Sequence, residues 1–129
     1  MQDTGSLICN VYTSIAQIPI EQALVTVTTQ DPGAPPRLLA LRLTDRSGRT
    51  APIDIATPPP SDSTAPGMPL GWTEVHISVD HPDYLRSRVE HVQIFPGRRT
   101  IQNLELIPLP EYSLRQNEQQ QFSQPQQNL

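Results

Sequence analysis

The chain has 129 residues, nine basic side chains against thirteen acidic ones and a formal net charge of -4, and every basic residue is an arginine. The missing lysine excludes a lysine Schiff base, a lysine nucleophile and lysine acylation, and Arg98-Arg99 is too small a basic patch for nucleic-acid binding. A single cysteine, Cys9, excludes an intramolecular disulfide framework.

Residues 1–5 show neither a basic patch nor an apolar run, so no signal-peptide pattern is visible and a cytoplasmic location is expected. No run approaches transmembrane length, so no membrane insertion is expected. Residues 6–13 alternate as a strand, with Leu7, Cys9 and Val11 on one face. That face makes Cys9 a small core residue rather than a nucleophile. A connection containing Pro19 leads to a second strand over 23–29, with Ala23, Val25 and Val27 inward and Leu24, Thr26 and Thr28 outward. Residues 30–37 are a proline-rich break.

A third strand is predicted over 38–44 and a fourth over 50–55. Between them lies Thr44-Asp45-Arg46-Ser47-Gly48-Arg49-Thr50. Asp45 can bond its own backbone and Gly48 can take a positive φ, so the segment reads as a hairpin tip. Pro52 marks the fourth strand as an edge strand, because proline cannot donate to the ladder. Five prolines over 56–71 predict an extended loop of polyproline character.

Residues 73–80 form the clearest strand, with Val75, Ile77 and Val79 on one face and Glu74, His76, Ser78 and Asp80 on the other. A turn at 81–84, an extended piece at 85–89, and strands at 92–95 and 101–107 follow, before Pro108 and Pro110 end the fold. Seven Gln and few large apolar residues make 111–129 a disordered tail. The expected architecture is all-β, an antiparallel Greek-key sandwich of seven to eight strands over 1–110.

The order of these pieces resembles the carboxypeptidase regulatory-like, or transthyretin-like (prealbumin-like), β-sandwich. The residues carrying the resemblance are Gly5-Ser6-Leu7-Ile8, Pro19 followed by Ala23-Leu24-Val25-Thr26-Val27, the Thr44 to Thr50 segment, and Tyr84. Gln22 and Asp83 stand where that family often has glycine, and Gln22 implies a differently shaped turn. Thr50-Ala51-Pro52-Ile53, Val92-Gln93-Ile94-Phe95-Pro96-Gly97 and Leu106-Ile107-Pro108-Leu109-Pro110 are similar to a module of spore cortex-lytic and stand-alone small proteins in spore-forming Firmicutes. That resemblance implies a non-catalytic accessory role and a spore or envelope association.

Catalytic and metal patterns are weak. The sequence lacks the Tyr-Arg-Gly-Ser end of hydroxyisourate hydrolases, a Gly-x-Ser-x-Gly elbow and a phosphate-cradling glycine loop. His76 and Asp80 share a strand face but lie about 13 Å apart, too far to hold one ion. His91 falls in another segment. No enzyme activity, catalytic residue, metal or cofactor is therefore expected. The binding residues singled out are Trp72 and Tyr84, whose rings suit a sugar or a protein partner. The expected partner is a protein or a cell-wall polymer, with strand edges as a route to homo-oligomers.

Overall fold

The computed structural model describes residues 3–30, 33–58 and 71–110. The Gln-rich tail and most of the proline-rich loop lie outside the described residues. Seven strands form among the described residues: β1 (Asp3–Thr13), β2 (Leu24–Thr29), β3 (Arg37–Leu43), β4 (Ile53–Thr57), β5 (Thr73–Asp80), β6 (Ser87–Ile94) and β7 (Arg99–Leu106). They make a three-stranded sheet, β4-β1-β7, and a four-stranded sheet, β3-β2-β5-β6.

Period-two alternation builds the core. Leu7, Cys9 and Val11 of β1, Ile53 and Ile55 of β4, and Leu104 and Leu106 of β7 turn inward from one sheet. Val25 and Val27 of β2, Val75, Ile77 and Val79 of β5, and Val92 and Ile94 of β6 meet them from the other. The core is thus aliphatic and β-branched, side chains that suit a pleated surface. All pairs are antiparallel except β1–β7, which is parallel in the register Ser6↔Arg99 to Thr13↔Leu106. A parallel pair needs a long crossover. Here most of the chain supplies it, because β7 is entered from β6 in the opposite sheet.

Three local expectations change. The turn at Asp45 forms, but it is not a hairpin tip: β3 belongs to the four-stranded sheet and β4 to the three-stranded one. It is a corner between sheets. Asp45 Oδ1 accepts the N–H groups of Ser47 (2.8 Å) and Arg49 (3.1 Å). The flanking threonines then bond outward to other segments. Thr44 Oγ1 donates to Ile20 O (2.6 Å) and accepts from Ala23 N (2.9 Å), while Thr50 Oγ1 accepts from Cys9 N (3.0 Å). Gly48, at φ 73°, lies so close to Val11 O that no Cβ fits.

The two pieces expected at 85–89 and 92–95 are one strand, β6, interrupted by a bulge. Val75 pairs with Val92 but Ile77 with Val89, so two residues, Glu90 and His91, oppose one, His76. The extra residue explains why the apolar spacing from Val89 to Val92 breaks period two.

Gln22 does not reshape its turn. It adopts φ 62°, the left-handed conformation a glycine would take, and its N–H donates to Thr44 O at 2.9 Å. β4 is an edge strand, as expected, but it runs from Ile53 to Thr57, so Pro52, expected inside the strand, lies just before it and removes no donor from the ladder.

Candidate functional site

Trp72 immediately precedes β5 and packs on Phe95, with ring centroids 5.7 Å apart and planes inclined at 51°. It is half-buried, and its indole N–H is buried without an acceptor among the described residues. Tyr84 lies four residues beyond the other end of β5 and packs against the core. Its N–H donates to His81 O (3.2 Å), and the His81 and Tyr84 rings meet edge to face at 5.1 Å. Eight residues of strand separate the two aromatics by roughly 25 Å. The structure therefore does not bring Trp72 and Tyr84 onto one platform.

Tyr84 instead helps line a cleft of about 450 Å³ with Ile15, Ile18, Pro19, Pro108 and His81. One wall is the tight turn after β1, where Ala16 (φ 60°) and Gln17 (φ 52°) are both left-handed and Thr13 N bonds Ile18 O at 2.9 Å. Four residues, 14–17, link the paired residues Thr13 and Ile18, and the last two of them, Ala16 and Gln17, hold the positive φ that usually falls to Gly or Asn. Ile15 and Ile18 are left 58% and 59% exposed on either side of it.

A larger apolar feature lies on the outer face of the four-stranded sheet. The register sets Leu24 opposite Leu43, Thr26 opposite Leu41, and Thr28 opposite Leu38. These leucines turn away from the core and are 37% (Leu24), 62% (Leu43), 48% (Leu41) and 55% (Leu38) exposed. Adjacent exposed leucines of this kind mark interaction surfaces more often than isolated ones do. The signal was present in the sequence: Leu38-Leu39-Ala40-Leu41-Arg42-Leu43 is too apolar for a strand with one face in solvent.

The other half of this outer face is polar. At the β6 bulge, His91 is left-handed (φ 61°); its N–H donates to His76 Nδ1 (3.3 Å), and its Nδ1 lies 2.7 Å from Glu74 Oε1. The His76 and His91 rings stand edge to face at 5.2 Å. Strand pairing therefore joins histidines that sequence spacing keeps apart. Even so, no group of three His, Cys, Asp or Glu among the described residues is placed to hold a metal ion.

Cys9 is fully buried, and desolvation pushes its thiol up to about 12, away from the thiolate a nucleophile needs. Among the described residues no hydrogen bond joins a Ser or Cys side chain to a histidine. No helix among them is long and apolar enough to cross a membrane.

No protein-family model matches the chain. No curated protein matches it either. Solved structures do share its fold. The TIE protein of Bacillus anthracis superposes with a TM-score of 0.53 at 12% identity, over 83% of this chain and 17% of that one. The 3-chlorocatechol 1,2-dioxygenase of Rhodococcus opacus gives 0.54 at 13%, over 84% of this chain and 61% of that one. GBS52, the minor pilin of Streptococcus agalactiae, gives 0.54 at 13%, over 85% and 47%. The chain thus spans less than two thirds of each of these proteins. At such identities the likeness is one of fold, a β-sandwich found in a dioxygenase and in a minor pilin alike.

Proposed function

We propose that this chain is a non-enzymatic, prealbumin-like accessory module that binds a protein partner in a cell-envelope or spore setting. The observation that carries this reading is the leucine-lined outer face, Leu24, Leu38, Leu41 and Leu43, on a sheet whose opposite face already supplies the core. Leucines so exposed gain about 25 cal/mol for each Å² of apolar surface a partner covers. The fully buried Cys9, whose thiol desolvation keeps protonated, is consistent with it.

A second reading is a glycan-binding module built on Trp72. It rests on the part of the Trp72 ring left exposed beside Phe95, against which it is tilted at 51°, while the buried indole N–H is out of a sugar's reach. Tyr84 is too distant to join that site.

Co-sedimentation separates the two. The purified chain is mixed with cell walls that retain their proteins and with walls stripped to peptidoglycan. Pelleting only with protein-bearing walls, lost in Leu41→Asp, supports the protein-binding module. Pelleting with stripped peptidoglycan that survives Leu41→Asp and is lost in Trp72→Ala favours the glycan reading. No pelleting with either removes the envelope setting.

A further inference from the structure

Among the described residues the sandwich has four sheet edges, and three carry devices that discourage pairing with another strand. On β3 a bulge falls opposite Val27 and Thr28, and Arg42 projects from the core-facing side of the sheet, opposite Val25. β4 has five residues and follows Pro52. β6 is bent by the bulge at left-handed His91. β7 has none of these: it runs eight residues without proline, and its pairing with β1 is unbroken from Arg99 to Leu106. Among the described residues its other flank is unpaired from Arg99 to Glu105, the next outward C=O, that of Ile107, accepting Leu85 N (2.8 Å), and it opens on a groove of about 580 Å³ between β6 and β7.

Ser6 N bonds Arg98 O (2.9 Å) and Ser14 N bonds Leu106 O (2.8 Å), so the even-numbered backbone groups of β7 face β1. The N–H and C=O groups of Arg99, Ile101, Asn103 and Glu105 therefore point out of the free edge. Their side chains share the solvent face, opposite buried Leu104 and Leu106, and Ile101 is 58% exposed.

We propose that a second copy of this chain pairs with this edge, β7 antiparallel to β7, about a two-fold axis at Gln102. That register makes every outward-pointing residue a hydrogen-bonded partner. It sets Arg99 of each copy opposite Glu105 of the other and Ile101 opposite Asn103. The edge is self-complementary in charge, as a two-fold interface requires, and opposite charges directly across a ladder stabilise it. The product is a continuous six-stranded sheet, β4-β1-β7-β7-β1-β4. This surface is separate from the leucine face, so the two assignments stand or fall independently.

Sedimentation velocity of the full chain, up to hundreds of micromolar, tests the pairing. The expected result is a species of twice the chain mass. Arg99→Glu alone and Glu105→Arg alone should each loosen it about tenfold or more, and the double swap Arg99→Glu/Glu105→Arg should restore it. Ile101→Pro, which removes an outward N–H without touching the β1 ladder, should abolish it while the far-ultraviolet circular dichroism is unchanged. If that variant fails to fold, the charge-swap set decides alone. A monomer at every concentration overturns the proposal. So does a dimer indifferent to Arg99→Glu, which would place the interface elsewhere, the leucine face included.

Discussion

Gln22 shows how one residue carries a conformational cost for the whole corner. Its left-handed backbone costs a non-glycine residue about 1–2 kcal/mol. Yet the turn must be held, because Gln22 N bonds Thr44 O and the next residue, Ala23, bonds Thr44 Oγ1. Gln22→Gly should remove the strain and lose part of the gain to the freer unfolded chain. The expected net is about 0.5–1 kcal/mol of added stability, seen as a melting temperature a few degrees higher. A lower melting temperature would mean that the glutamine side chain holds the turn by more than the strain it causes. Gly48 is the opposite case. There a positive φ coincides with the approach of Val11 O, so a side chain would displace backbone.

At the level of elements, the corner at 44–50 decides which sheet each neighbouring strand joins. A hairpin would close on itself, with both arms in one ladder. Here Asp45 satisfies the turn from within, freeing Thr44 to bind the segment at 20–23 and Thr50 to bind β1 at Cys9. Asp45→Ala removes the acceptor of two backbone N–H groups and should lower stability by about 1–2 kcal/mol. The urea midpoint should fall with an unchanged m-value, and Asp45→Asn, which keeps an acceptor, should recover most of the loss. An unaffected midpoint would show that solvent replaces the side chain without cost.

For the molecule as a whole, burial of the single thiol couples the core to pH. Cys9 is pushed from an ordinary 9.0 to about 12 by desolvation. Below about pH 9 the thiol is protonated in both folded and unfolded chains, and its contribution to stability is fully present. Between about 9 and 12 the unfolded chain releases the proton and the folded chain does not. Stability should then fall by about 1.4 kcal/mol per pH unit. Cys9→Ala should flatten this alkaline slope in urea unfolding, at the expense of a small cavity at neutral pH. An equal slope in both proteins would assign alkaline sensitivity to other groups.

Alternation by itself determined the all-β class, the inward faces of β1, β2 and β5 and the buried thiol, because side-chain period is a local property. Tertiary structure decided what depends on residues distant in the chain. The segment at 44–50 has the chemistry of a turn in either setting, and only the partners of Thr44 and Thr50 make it a corner between sheets. The bulge that seats His91 beside His76 and Glu74 arises from the register of β6 on β5. Trp72 and Tyr84, twelve positions apart in sequence, are parted because a strand runs straight between them. The free flank of β7 follows from its parallel pairing with β1, a contact that spans nearly the whole fold and leaves no local mark in the sequence.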